Sequence, residues 1–223
     1  MPIKNDVLDF QYFNLPARYF TSLDMNTIRS DLKLIAKINT EHLIVAVSEL
    51  KEGLTIQIIA EKDEPGIFLR VAAVLYSHGI SILKATIFTG EKDTMVIDHF
   101  VVHPQTERAL LNLACSEIRI ALTEKTTCVP VLRPADNTGL TVACTPSQAG
   151  YAIVKMEAKE QAGFLYRVAN VFSDLDLSLV DADIKTLQDQ IVDTFHIVTS
   201  GRRMPTPEKL AELHAALLSA FAK

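Results

Sequence analysis

The chain has 223 residues, 48% hydrophobic and 22% charged, an ordinary globular composition with length for two small domains or one large one. A net charge of −5, a pI near 5.7 and no dense Lys/Arg run exclude nucleic acid as the main partner. Asp6 and Asp9 with no apolar h-region exclude a signal peptide, and no apolar run is long enough to cross a bilayer, so a cytoplasmic location without membrane contact is expected. Cys115, Cys128 and Cys144 lack CxxC spacing and read as reduced, partly buried thiols.

Residues 1–42 read as a helical arm. "DVLDFQYFNLPARYF" is aromatic-rich, and "NTIRSDLKLIAKI" is predicted as an amphipathic helix with Asn26 as N-cap and Ile28, Leu32 and Ile35 on one side. Leu43 to Val47 suits a strand, Glu49 to Gly53 a turn, and Leu54 to Ala60 a second strand, stopped by Pro65 and Gly66. The period then changes from 2 to 3.6: Phe68, Val71, Ala72 and Leu75 form one face of a helix that Gly79 ends. Ile80 to Phe88 reads as a strand, Leu83, Ala85 and Ile87 facing the core and Lys84 and Thr86 facing water. Gly90 to Asp93 turns into a strand from Met95 to Val102, with Asp98 and Phe100 on one face. An amphipathic helix from Thr106 to Thr123 carries Leu111, Cys115, Ile118 and Leu122 along one side.

The chain repeats itself. Shifted by 97 residues, Leu43, Val45, Ala46, Gly53, Ile56, Lys62, Gly66, Arg70, Val71, Ala72 and Val74 fall on Leu140, Val142, Ala143, Gly150, Ile153, Lys159, Gly163, Arg167, Val168, Ala169 and Val171. After a two-residue deletion, Asp98-His99-Phe100 falls on Asp193-Thr194-Phe195. The expected division is one domain at 43–126, a proline-bearing linker at 127–139 and a second copy at 140–223. Each copy reads β-β-α-β-β-α. This is an α+β chain of two ferredoxin-like two-layer sandwiches, each an antiparallel sheet with helices on one face, in pseudo-twofold tandem. Exposed sheet edges are expected to pair with the tandem partner or in a homodimer.

"KDEPGIF", a helix, "ISILKATIF" and "VIDHFVV" together resemble the ACT domain, a small regulatory module, often paired, that binds amino acids. With "LPARYFTSLDMNTIRSDLKLI" ahead of it, the pair is similar to the C-terminal ACT region of the uridylyltransferase/uridylyl-removing enzymes of nitrogen control. The resemblance implies a non-catalytic sensor of an amino acid, glutamine first, that signals to a regulated protein partner or an attached enzyme. The alternative is a ligand-free pair that dimerises or docks.

The first turn carries the expected ligand site: Asp63, Glu64, Pro65, Gly66, Ile67 and Phe68, with Ile80, Ser81 and Ile82 as the other wall. A helix N-terminus with free N–H groups suits an α-carboxylate, Gly66 lets it approach, and Asp63 or Glu64 would meet the α-ammonium. The competing reading is a tight turn with solvated acids. The second turn departs from the pattern, Glu160 standing for Asp63 and Ala162 for Pro65. Glu160, Gly163, Phe164 and Ser178 form a weaker site. Ser81 and Ser178 also stand where related domains often carry Asn. Asp98 and Asp193 are read as structural acids, paired with Arg70 and Arg167 or capping a neighbouring turn. Asp174, Asp176, Asp181 and Asp183 read as a solvated acidic face rather than a metal site. No GxGxxG, P-loop, HExxH or nucleophile-base constellation is present, the six histidines show no ligand spacing, and no cofactor is expected.

Overall fold

The computed structural model describes residues 15–90, 95–187 and 189–222. In chain order it contains α1 (Ala17–Ser22), α2 (Met25–Ile35), α3 (Ile38–Glu41), β1 (Leu43–Leu50), β2 (Gly53–Ala60), α4 (Ile67–Ser77), β3 (Ile82–Thr89) and β4 (Val96–Val102). Then follow α5 (Arg108–Glu124), β5 (Thr141–Pro146), β6 (Ala152–Lys159), α6 (Phe164–Asp174), β7 (Leu177–Leu187), β8 (Gln190–Thr199) and α7 (Pro207–Phe221). Most of the aromatic-rich stretch at the N-terminus and the turn at 91–93 lie outside the described residues. The predicted cap of α2 moves by two residues. Asp24, not Asn26, accepts the Asn26 and Thr27 backbone N–H groups at 2.9 and 3.3 Å, and these bonds, led by that of the Thr27 hydroxyl, hold its carboxyl below the usual range.

The strands form one antiparallel sheet in the order β1-β2-β4-β3-β7-β8-β6-β5. Helices α4 to α7 cover one face, where Phe68, Phe100, Phe172 and Phe195 share a core. The two copies meet where β3 pairs with β7, covering the edge that a lone four-stranded sheet would expose. Lys84 lies opposite Lys185, Thr86 opposite Asp183 and Phe88 opposite Asp181. Thr86 thus faces its own counterpart, 97 residues on, and the pseudo-twofold axis passes between the two.

The register corrects the 97-residue alignment across the first hairpin. Val47 pairs with Ile56 after nine residues, but its counterpart Cys144 pairs with Val154 after ten. The counterpart of Ile56 is therefore Val154, opposite Phe195 as Ile56 is opposite Phe100, and Ile153 points to the other face. One residue is added in the hairpin and one is lost before Gly163, which restores the shift at the helix. A one-residue slip turns every side chain over, so burial exposes the error: Ala152, Val154, Met156 and Ala158 are inside.

The copies also differ on their second face. In the first copy that face is not wet. Tyr19, Ile28, Ile35 and Ile38 of the arm pack on Ile44, Ile59, Phe88, Met95 and Ile97. Strands β2 and β4 are consequently buried on both sides. In β6, by contrast, buried residues alternate with exposed Lys155, Glu157 and Lys159. The arm is anchored on buried Asp31, which accepts from Tyr19 Oη at 2.7 Å and Gln57 Nε2 at 2.6 Å and lies 2.8 Å from His99 Nε2. Burial, with the Asp31 charge next, pushes the Tyr19 phenol far above its ordinary range.

Candidate functional site

Topology decides which segments surround each turn. The α4 N-terminus follows the end of β2, which pairs with the start of β4, which pairs with the end of β3. Across the seam, the end of β3 lies beside the start of β7. Ile82, in contrast, pairs with Val102 at the far end of β4. At ~3.3 Å per residue that is about 20 Å from the α4 turn. The expected single-copy pocket therefore divides between two sites related by the pseudo-twofold axis. Asp63 to Phe68 join Ser178 of the second copy. Ile80, Ser81 and Ile82 join Glu160, Gly163 and Phe164.

Both helices start from a left-handed glycine: Gly66 has φ 85° and Gly163 φ 81°. Each exposes backbone N–H groups and the positive end of the helix dipole. The surroundings differ. A Cβ at Gly66 would come within 3.4 Å of the Arg70 guanidinium, whereas one at Gly163 would come within 3.0 Å of the Tyr76 ring and 3.2 Å of Leu132.

At the first turn the space is about 50 Å³. Asp63 is held by Arg202 Nη2 at 3.1 Å, and Glu64 by Lys125 Nζ at 2.9 Å. Burial raises the Asp63 carboxyl despite the Arg202 charge. At the second turn the cavity is about 650 Å³, within the usual ligand range of ~300–1,000 Å³. The larger cavity thus lies at the turn expected to be weaker. Its rim includes the linker, read from sequence only as a connection. Tyr76 Oη donates to the Val131 carbonyl and accepts from the Arg133 N–H, both at 3.3 Å. Gln161 pairs with Asp136 through both its amide atoms, at 3.0 and 2.6 Å.

The repeated acids are not paired with the repeated arginines. Arg70 donates to the Pro65 carbonyl at 3.2 Å. Arg167 donates to the carbonyls of Ala220 and Arg133, with its guanidinium carbon 5.9 Å from the centre of the Phe221 ring. The acids instead accept a strand N–H at equivalent places, Asp98 from Phe88 and Asp193 from Lys185 at 3.1 Å. Each is 1% exposed and keeps one carboxyl oxygen without a partner, Oδ1 of Asp98 and Oδ2 of Asp193. Burial raises both carboxyls, Asp98 well above the usual range and Asp193 to about 7. Asp98 lines the first site and Asp193 the second.

The acidic cluster disperses. Asp174 accepts from Asn170, Asp176 from Ser200, and Asp183 pairs with Lys185. Asp181 is half-buried between Arg18 and His196 rather than solvated. Among the described residues no group of three or more His, Cys, Asp or Glu could hold a metal ion, and no helix is long and apolar enough to cross a membrane. Burial pushes the Cys115 and Cys144 thiols up to about 11, while Cys128 is exposed rather than partly buried.

Two four-stranded halves joined edge to edge, with a helix N-terminus of each facing the other across the seam, define a tandem of ferredoxin-like α+β halves. Residues 54–113 match the family model of the ACT domain. The chain is similar to the bifunctional uridylyltransferase/uridylyl-removing enzyme of Rhodospirillum rubrum, 24% identical over 96% of this chain and 24% of the relative. It is 26% identical to the enzyme of the same description from Pasteurella multocida, over 87% of this chain and 24% of that one. It therefore spans about a quarter of the length of these relatives. A crystal structure of a proposed glycine cleavage system transcriptional repressor aligns with 74% of this chain and 90% of its own, at 17% identity and a TM-score of 0.27.

Proposed function

We propose that the chain is a non-catalytic regulatory module that senses an amino acid, glutamine first, in the cavity at the second-copy turn. It signals to an attached or separate enzyme of nitrogen metabolism. The observation that carries this reading is the cavity itself: a helix N-terminus, a left-handed glycine and a buried, half-satisfied Asp193 converge on one space. The N–H groups of α6 and the exposed Arg133 suit an α-carboxylate. Asp193 suits an α-ammonium. The linker and two copies share the cavity walls, so occupancy would alter how the halves sit, which is what a partner could read. The likeness to uridylyltransferases supplies glutamine and the nitrogen context as the leading choice; the residues supply only the zwitterion chemistry.

Thermal shifts with each of the twenty amino acids test it. Ligand at ~100 times its dissociation constant adds about 2.7 kcal/mol of stability. The expected result is a shift with one or a few amino acids that Asp193→Asn and Ser81→Ala reduce. No shift with any of them in a cooperatively folded sample overturns sensing in favour of a docking pair.

A further inference from the structure

The two sites are assembled from equivalent parts, yet at one of them a lining acid is already paired with a cation supplied by the chain. Between β4 and the cap of α5 lie four residues, 103–106; between β8 and the cap of α7 lie six, 200–205. The longer loop carries Arg202, in left-handed backbone at φ 57°, a conformation that costs a side-chain-bearing residue about 1 kcal/mol and needs support. Its support includes the 3.1 Å ion pair with Asp63, both side chains half-buried. That acid stands beside the buried Asp98, and the remaining space is about 50 Å³.

The second site lacks this device. Its neighbouring loop is His103-Pro104-Gln105-Thr106, which holds no arginine and starts with the bond from His103 N–H to the Ser81 carbonyl at 3.2 Å. Glu160 takes the place of Asp63, Asp193 that of Asp98 with Oδ2 unpartnered, and the space is about 650 Å³. Arg133 at the rim belongs to the linker and faces solvent, where it complements a carboxylate.

We propose that Arg202 is the resident cation of the first site, so that each chain has one open site, at the second-copy turn, for a small ligand whose ammonium or guanidinium group meets Asp193. The Arg202 half stands on the ion pair and loop alone; the open-site half rests on the sensing reading above. In chemical terms the first site shows what the second is built to accept, because its turn acid, Asp63, is already met there by a nitrogen cation.

Methylguanidinium chloride tests the Arg202 half. It is expected to raise the melting temperature of Arg202→Ala more than that of the wild-type chain, and the excess is expected to vanish in Arg202→Ala/Asp63→Asn. Equal shifts in all three overturn the assignment. Should Arg202→Ala fail to fold, Arg202→Gln carries the same comparison. For the open site, calorimetry with the amino acid that shifts the wild type most is expected to give one site per chain, and its N-acetyl derivative to bind at least ~10-fold more weakly, since the acetyl group removes the charge that Asp193 meets. Two sites in the wild type, or equal binding of the acetylated form, overturn the proposal. A chain that no amino acid shifts overturns the sensing reading and the open-site half with it, while the methylguanidinium comparison still decides Arg202.

Discussion

The first and second copies share a sheet topology, a glycine-capped helix and a buried acid on equivalent strands, and then diverge in what surrounds them. The first is clad on both faces, its turn closed by ion pairs to Arg202 and Lys125. The second keeps a polar outer face and a cavity more than ten times larger at its turn. A repeated motif therefore says where a site is geometrically allowed; loops and arms outside the motif decide whether it is open.

The largest effect that would break this contrast is at Asp31. Asp31→Ala leaves Tyr19, Gln57 and His99 buried without their shared acceptor and is expected to cost about 3–5 kcal/mol in denaturant unfolding. Hydrogen exchange should accelerate in β1, β2 and β4 and stay unchanged in β6 and β8. Equal acceleration in both copies would show the arm supports the whole sheet.

Next come the two capping glycines. Alanine at either meets the left-handed penalty of about 1–2 kcal/mol, but at Gly163 it also meets the Tyr76 ring. Gly163→Ala is expected to destabilise by about 2–4 kcal/mol and Gly66→Ala by about 1–2 kcal/mol. A reversed order would mean Tyr76 yields more readily than Arg70.

The pH dependence sharpens the comparison of the acids. With a folded value of about 7 against an ordinary 3.8, Asp193 binds its proton more tightly when folded, so its contribution is full below the ordinary value and is lost as pH rises toward 7. Asp193→Asn should keep the Lys185 N–H bond, flatten that decline and raise the melting temperature at pH 7.5 by ~2–4 °C for each 1 kcal/mol recovered. The same variant is expected to weaken amino-acid binding, so stability and affinity should move in opposite directions. Loss of both would make Asp193 a purely structural acid.

The smallest effect is at Arg18, which ties the arm to Asp181 of the second copy. Arg18→Ala is expected to cost about 1 kcal/mol or less, because His196 stays 3.0 Å from Asp181 and the pair is partly exposed. A cost equal to that of Asp31→Ala would make this bridge, rather than the Asp31 network, the arm's anchor.

Much of the fold was legible because local patterns carried it. The alternation in "AIVKMEAK" and the more apolar run in "VIDHFVV" differ as a half-wet strand and one covered twice do, a contrast that reading the two copies as equivalent passed over. The cap of α2 was misplaced because Asp24 and Asn26 are both competent caps, and only the backbone shows which one the helix starts from. The ligand walls were assigned to the wrong copy for a different reason. Sequence neighbours Gly66 and Ile80 lie at opposite ends of the sheet, and which foreign segment approaches each turn depends on how β3 meets β7. Arg202 was missed because it lies in a loop of the second copy that is longer than its counterpart in the first; comparing the lengths of the two loops before the last helices would have flagged it.

The seam at Thr86 and Asp183 has one further consequence. A strand whose central residue faces its own counterpart is self-complementary, so two separate copies could assemble through it as a symmetric dimer, with two identical sites. Joining them by a tether makes that assembly independent of protein concentration, since the second half is always present at a high effective concentration. It also releases the halves from the obligation to be identical: one can keep a binding function while the other becomes its scaffold.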